Sequence, residues 1–169
     1  TRPCGTSKLT YTSDRMVCRR VGLVALLFAL LTPPVRAHED LVKLDLATYR
    51  GKVVYLDFWA SWCEPCRGSF PFMDALQSKY GSRGLVVIAI NVDTERRLAA
   101  NFLAEAPVGF KIVYDPAGRL AEEWQLQGMP TTILIGRDGK TLPQHVGFRK
   151  VDQVPLEAAV VRLLSEEPR

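Results

Sequence analysis

Short apolar runs alternate along this chain with segments whose apolar residues have helical spacing. The run Val53–Trp59 is apolar at every position except Asp57, which is typical of a strand buried on both faces of a parallel sheet. The predicted strands are 53–59, 85–92, 112–114, 131–135 and 141–146, and the predicted helices are 65–80, 95–106, 117–125 and 151–166. Strands that alternate with helices indicate an α/β domain with a mostly parallel sheet.

The end of the chain departs from this alternation. The last two predicted strands flank the turn sequence Arg-Asp-Gly-Lys at 137–140, which predicts a hairpin and therefore an antiparallel pair. Because Pro143 has no N–H group to donate, it fits only an edge position in that pair. We expect Asp152 to be the N-cap of the last helix, with Pro155 in its first turn.

The first 37 residues have the pattern of an export signal. Arg19 and Arg20 precede eleven continuous apolar residues at 21–31, and Val35 and Ala37 occupy the small-residue positions of a cleavage site. The sequence predicts upstream translated residues at 1–15, a signal peptide at 16–37 and one domain at 38–169, exported to the bacterial periplasm. An uncleaved anchor is the alternative, although eleven residues span only about 16 Å as a helix against a bilayer core of roughly 30 Å.

The position of the charges changes the meaning of the net charge. Of the 22 basic and 18 acidic residues, six basic and one acidic precede His38, which leaves 16 basic and 17 acidic residues in the predicted mature part. The basic excess therefore belongs to the export segment and the residues before it. Without a basic stripe in the domain, nucleic acid is not an expected partner.

The chain has four cysteines, and two of them, Cys4 and Cys18, lie in the segment that export would remove. The remaining pair, Cys63 and Cys66, cannot complete a zinc site with so few histidines available, so no metal is expected. A structural disulfide closing a loop of about four residues would stabilise the fold weakly. A redox couple explains the pair better, and in an oxidising compartment it forms a disulfide unless something keeps it reduced.

The predicted strand-to-helix junction places Cys63 just ahead of a helix. Free N–H groups and the positive end of the helix dipole stabilise a thiolate there, so Cys63 is the expected nucleophile and Cys66 the resolving thiol. Asp57 lies in an apolar strand, where burial raises the pKa of a carboxyl, and it is the expected proton-holding group near Cys66. The alternative is that Asp57 simply hydrogen-bonds near the end of its strand. This chemistry needs no cofactor.

The segment 57–66, DFWASWCEPC, resembles the active-site segment of thioredoxin, with the buried aspartate six positions before the first cysteine. Pro71 matches the proline that kinks the active-site helix of that family, and Gly147 also fits its pattern. The resemblance implies a thioredoxin fold, a central mixed β-sheet flanked by helices on both faces, and it covers most of residues 41–166.

The segment 128–132, GMPTT, resembles the thioredoxin loop that lies beside the cysteine pair. The resemblance implies that Pro130 is cis and that Met129 offers backbone hydrogen bonds to an extended segment of the substrate. About one extra strand-helix unit separates Asn91 from Pro130 in comparison with thioredoxin itself. That insertion, together with the signal, is similar to the TlpA/ResA group of extracytoplasmic thioredoxin-like proteins.

Membership of that group implies a thiol-disulfide reductase of client proteins, for example in cytochrome c or copper-site maturation, recharged by a membrane electron donor. Two positions depart from relatives. Ala89 stands where thioredoxin has a lysine near its aspartate, and Ser69 stands where some ResA-type proteins carry a glutamate. Asp57 is therefore the one evident proton-transfer group.

The residues inside the cysteine motif bear on the direction of electron flow. A negative charge at Glu64 is expected to raise the pKa of the Cys63 thiol and to favour a reductase, unless water screens it at an exposed position. Trp62 and Pro65 complete the residues expected to tune the site. The alternative functions are a thiol peroxidase, which lacks its usual cysteine loop here, and a redox-inactive thioredoxin-like binding or chaperone module.

Overall fold

The central strand of the sheet is β1 (Val53–Trp59), in which every residue is buried. The computed structural model describes residues 44–167. The other strands are β2 (Leu85–Asn91), β3 (Lys111–Tyr114), β4 (Thr131–Ile135) and β5 (His145–Val146). They form a five-stranded sheet in the order β3-β2-β1-β4-β5. The three strands β3, β2 and β1 are parallel, whereas β4 and β5 run antiparallel to their neighbours, so the predicted mixed sheet is confirmed.

Among residues 44–167, four α-helices cover the sheet, namely α1 (Glu64–Tyr80), α2 (Arg96–Glu105), α3 (Arg119–Glu123) and α4 (Gln153–Ser165). Shorter 3-10 helices lie at Leu46–Tyr49, Gly81–Arg83 and Lys150–Asp152. The helix α1 begins after extended backbone at Cys63, with Pro65 in its first turn and Pro71 in its interior. The connection to β2 turns at Gly84, whose φ of 101° is a left-handed conformation that favours glycine.

The alternation of side chains along β1 divides the core into two layers. Tyr55 and Trp59 point to one face, where they pack with α1, α2 and α4 in a cluster that includes the two cysteines. Leu56 and Phe58 point to the other face, where Leu120 of α3 completes a second cluster with the Leu46–Tyr49 helix packed against it. Helices therefore cover both faces of the sheet, as expected.

Two elements are each four residues shorter than the sequence predicts. The strand predicted over 141–146 is reduced to β5 and an isolated bridge between Thr141 and Ile135. The intervening residues leave the ladder around Pro143, which has no N–H group for it. The helix predicted over 117–125 is limited to α3, because Gly118 at φ 68° and Gln125 at φ 51° adopt left-handed backbone at its two ends.

Asp152 is the N-cap residue of α4, as expected, but its side chain does not cap that helix. Its carboxylate turns back and accepts the backbone N–H of Arg149 at 2.7 Å, while the Arg149 guanidinium lies 3.1 Å away. The Asp152 carboxylate therefore binds Arg149 at the start of the preceding 3-10 turn, and it does not bind the free N–H groups of α4.

Between β2 and the Pro130 loop the chain forms α2, β3 and α3, so this span contains a strand and a second helix, as the predicted extra strand-helix unit requires. The segments predicted as upstream residues (1–15) and signal peptide (16–37) lie outside the described residues. Within residues 44–167, no helix has the length and apolar character needed to cross a membrane.

Candidate active site

Cys63 and Cys66 form a disulfide at the first turn of α1, with their sulfur atoms 2.02 Å apart. The N–H of Cys63 donates to the carbonyl of Ala60, and the N–H of Cys66 donates to the carbonyl of Cys63, each at 3.1 Å. Cys63 is 4% exposed and Cys66 is fully buried. Cys63 is therefore the cysteine nearer the surface. It lies at a helix N-terminus, which favours a thiolate after reduction.

Asp57 is fully buried on the β1 face that carries Tyr55 and Trp59, the same face as the cysteine cluster. Its Oδ1 accepts a hydrogen bond from the Thr132 hydroxyl at 2.8 Å, and its Oδ2 has no hydrogen-bond partner among the described residues. Burial raises the pKa of this carboxyl from 3.8 to about 7, against the lowering effect of the Thr132 bond. The group can therefore hold or release a proton near neutral pH.

The strand pairing explains why Thr132 contacts Asp57 and why β2 places no charged side chain at the position opposite Asp57. Thr132 is the β4 residue directly opposite Asp57, and Ala89 is its partner on β2. Ala89 thus occupies the neighbouring position without a charge. Ser69, the other departure noted in the sequence, is buried in α1 and donates its hydroxyl to the carbonyl of Cys66 at 3.0 Å.

Asp93 is a second buried carboxylate near the cysteine loop, and sequence reasoning missed it. It is 2% exposed and accepts the N–H and the hydroxyl of Ser61, each at 3.0 Å. It also accepts the Asn91 side-chain amide at 2.8 Å. These bonds fix the loop that leads from β1 to Cys63. An aspartate two residues after a parallel strand, at the edge where β1 also ends, was the available signal.

The residues expected to tune the site lie around the disulfide. Trp62 is 67% exposed, directly before Cys63. The Glu64 side chain is 89% exposed and lies 3.9 Å from the Nε of Arg67. Its charge is thus close to the cysteine in sequence, but solvent and a neighbouring cation surround it. Pro65 is in the first turn of α1, where a missing N–H costs no helical hydrogen bond.

The peptide bond between Met129 and Pro130 is cis, in agreement with the resemblance. The carbonyl of Pro130 accepts the N–H of Gly147 at 2.7 Å, and the Thr131 hydroxyl donates to the carbonyl of Gly128 at 2.7 Å. Met129 is partly buried and packs against the core cluster that contains both cysteines. The loop is therefore held in place on both of its sides, next to the cysteine layer.

Metal ligands do not gather in the part of the chain that the structure describes, where no group of three or more His, Cys, Asp or Glu side chains could hold an ion. A disulfide at the start of a helix that follows the central strand, with a cis-proline loop, defines the thioredoxin fold.

The sequence model of the Redoxin family matches residues 31–160, and the chain belongs to this family. Among curated proteins, it is similar to the thiol-disulfide oxidoreductase ResA of Bacillus anthracis, with 31% identity over 66% of this chain and 65% of the relative. It is also similar to ResA of Bacillus subtilis, with 33% identity over 62% of this chain and 59% of the relative. The matches thus span less than two thirds of each relative.

A solved structure with a similar fold is that of a candidate thiol:disulfide interchange protein DsbE from Chlorobium tepidum. The identity is 47% and the TM-score 0.70, over 72% of this chain and 86% of that one. Together with the ResA relatives, this neighbour places the chain among TlpA/ResA-like proteins of the thioredoxin superfamily.

Proposed function

We propose that this chain is an exported thiol-disulfide oxidoreductase that acts as a reductase of protein disulfides. The observation that carries the proposal is the Cys63–Cys66 disulfide at the start of α1, on the same layer as a fully buried Asp57 with one free oxygen. A purely structural bridge across so short a loop would stabilise the fold little, and it would give no reason to bury a carboxyl beside it.

The reaction begins with the reduced pair. The Cys63 thiolate attacks one sulfur of a client disulfide, forming a mixed disulfide and releasing the other client sulfur as a thiolate that takes up a proton. The Cys66 thiol then loses its proton to Asp57 and attacks the Cys63 sulfur. The bond between Cys63 and the client breaks, the client leaves as a dithiol, and two electrons have moved from the cysteine pair to the client.

Asp57 suits this proton transfer because its pKa of about 7 lies near the working pH. Its carboxylate form accepts the Cys66 proton, and its neutral form returns a proton when the pair is reduced again. Met129 and Pro130 offer the backbone beside which an extended client segment would bind. No cofactor takes part in these steps.

The charge of Glu64 near Cys63 favours the reductase direction of electron flow by a small amount. Glu64 disfavours a strongly acidic thiol, and a weakly acidic nucleophile makes the disulfide harder to reduce and the dithiol a better donor. The exposure of Glu64 and its proximity to Arg67 keep this effect small. The named activity of the ResA relatives supports the redox class.

The proposed clients and location come from the resemblance to the TlpA/ResA group and from the export pattern of the sequence. Disulfide-containing proteins of the periplasm, such as cytochrome c or copper-site maturation partners, are the proposed clients. A membrane protein of the thiol-disulfide relay type would return the cysteines to the reduced state. The segment 16–37 would direct export, either as a cleaved signal peptide or as an anchor.

An insulin-reduction assay with dithiothreitol tests the proposal. We expect the full chain to accelerate insulin precipitation and Cys63→Ser to reduce the rate to the dithiothreitol background. Cys18→Ser is the matched control, because it removes a cysteine outside the proposed couple, and it should retain the wild-type rate. Equal rates for wild type and Cys63→Ser would refute the redox function and favour a redox-inactive binding module.

A further inference from the structure

Three buried polar side chains form a hydrogen-bonded chain on the face of the sheet that carries the cysteine layer. The hydroxyl of Tyr55 lies 3.2 Å from the hydroxyl of Thr132, which lies 2.8 Å from Oδ1 of Asp57. Tyr55 and Asp57 are fully buried and Thr132 is 2% exposed. This hydrogen-bonded chain was not predicted from the sequence, because Tyr55 occupies a core position that any large apolar residue could fill.

The direction of the hydrogen bonds follows from the number of protons available. Thr132 has one hydroxyl proton, and it is directed to the Asp57 carboxylate. The Tyr55 hydroxyl must therefore donate to the Thr132 oxygen. Burial raises the pKa of Tyr55 above its ordinary value, so the phenol remains a donor throughout the physiological range. The two bonds run in one direction and end on the carboxylate.

We propose that Tyr55 is a positioning residue that sets the proton affinity of Asp57 through the hydroxyl of Thr132. The proposal rests on the proposed function only for its kinetic consequence, because the effect on Asp57 exists in the folded protein without a client. In a low-dielectric interior, each hydrogen bond of a chain polarises the next. The Tyr55 donor strengthens the Thr132 bond to the carboxylate and counteracts part of the effect of burial.

The geometry also fixes where the proton is taken up. Oδ1 of Asp57 accepts the Thr132 bond, and Oδ2 has no partner among the described residues. A proton that binds at Oδ2 leaves the chain from Tyr55 to Oδ1 intact. Asp57 can therefore gain and lose a proton without rearrangement of its neighbours, as a repeated transfer to and from Cys66 requires.

The other titratable groups on this face of the sheet come from the neighbouring elements. The helix α1 contributes Cys63 and Cys66, joined in the disulfide, and, at its far end, Tyr80, which donates to Glu157. The residue opposite Thr132 on β5 is His145, whose Nε2 lies 3.7 Å from Asp152, itself paired with Arg149. The strand β2 contributes Ala89, which does not titrate. The helix α4 contributes aliphatic side chains to this cluster: Leu156, Val160, Leu163 and Leu164.

Packing alone does not account for the hydroxyl of Tyr55. The ring contacts Phe72 edge to face, with centroids 6.5 Å apart, and a phenylalanine ring would make the same contact. A buried hydroxyl carries a desolvation penalty that its hydrogen bond must offset. The feature that distinguishes tyrosine from phenylalanine at this position is its donation to Thr132.

The test is a 13C NMR titration of the Asp57 carboxyl in the oxidised full chain. We expect Thr132→Val to raise the pH midpoint of Asp57 by about one unit, because a bond to a charged acceptor is lost. Tyr55→Phe should raise it by about 0.3 units, because only the polarisation of that bond is lost. Thr132→Ser, which keeps the hydroxyl, should restore the wild-type midpoint and shows that loss of folding is not the cause.

Tyr80→Phe is the matched control. The Tyr80 hydroxyl is also largely buried and donates to a carboxylate, Glu157, at 2.6 Å, but on the far end of α1. Its removal should leave the Asp57 midpoint unchanged. A wild-type midpoint in Tyr55→Phe, or the same displacement in Tyr80→Phe, would overturn the proposal.

The titration and the activity can fail separately. If Tyr55→Phe displaces the midpoint but the wild type does not reduce insulin, the hydrogen-bonded chain stands and the proposed reductase function fails. If the wild type reduces insulin and Tyr55→Phe titrates as wild type, the function stands and the role of Tyr55 fails. With both in place, the pH profile of mixed-disulfide resolution should move with the midpoint.

Discussion

Replacement of Asp57 by asparagine is expected to change the dependence of stability on pH. Burial raises the pKa of this carboxyl from 3.8 to about 7. Between these two values the unfolded chain releases its proton while the folded chain retains it. Because the folded state then binds more protons at Asp57 than the unfolded state, the contribution of Asp57 to the free energy of unfolding falls as the pH rises through this window.

The magnitude follows from the size of the rise. Each pKa unit corresponds to about 1.4 kcal/mol, and the rise is about three units, so ionisation of Asp57 costs the fold about 4 kcal/mol above pH 7. This cost is absent below the unfolded pKa, where Asp57 is neutral in both states. It reaches its full size as the pH rises above the folded pKa. The Asp57→Asn variant has no charge to bury, so it should become more stable than the wild type by up to this amount on the alkaline side.

Urea unfolding of the oxidised full chain, followed by tryptophan fluorescence from pH 4 to 9, measures this difference. Asp152→Asn is the control without a pH dependence in this range, because Arg149 holds the pKa of Asp152 below its usual value. The contribution of Asp152 is fully present above its unfolded pKa of about 4 and is lost only as the pH falls through the folded value below it, so the difference between Asp152→Asn and wild type should stay nearly constant above pH 5. A difference between Asp57→Asn and wild type that stays constant across the range would refute the assigned burial and proton binding of Asp57.

Three further changes have expected outcomes. Asp93→Ala should lower the free energy of unfolding by about 3 kcal/mol, since Ser61 and Asn91 lose a buried charged acceptor. It should also accelerate hydrogen exchange at the Ser61 amide. An exchange rate equal to that of the wild type would contradict the role of Asp93. Phe70→Ala should cost about 3–5 kcal/mol in urea unfolding, because its ring contacts three other aromatic rings; a loss under 1 kcal/mol would contradict this packing. Glu64→Gln should lower the pKa of the reduced Cys63 thiol by less than about half a unit at low salt, measured by thiolate absorbance. A salt-independent change would contradict screening at this exposed position.

Local patterns were sufficient to predict the elements that carry the cysteines. The apolar run of β1 and the helical spacing of α1 are properties of neighbouring residues, so the strand-to-helix junction at Cys63 followed from them. Asp57 stood out for the same reason, as one charge in an apolar strand, and the structure confirms its burial. The cis peptide before Pro130 came from the resemblance and not from the local pattern.

The partners of these residues depend on contacts distant in the sequence. Thr132 is 75 residues from Asp57, and only the pairing of β1 with β4 brings them together. The contact between the Tyr55 and Thr132 hydroxyls depends on the same pairing. The strand β5 is short because ladder bonds are lost around Pro143 at the sheet edge. A hydrophobic pattern does not predict how many residues of an edge strand remain paired.

The most direct test of the central claim is to trap the mixed disulfide. The full-length Cys66→Ser variant, reduced and then incubated with oxidised insulin, should form a stable adduct, and peptide mapping by mass spectrometry should place that adduct on Cys63 and not on Cys4 or Cys18. Cys63→Ser should form no adduct through the fully buried Cys66. An adduct on Cys66 in that variant, or no adduct on Cys63 in the first, would contradict a redox couple in which Cys63 attacks and Cys66 resolves.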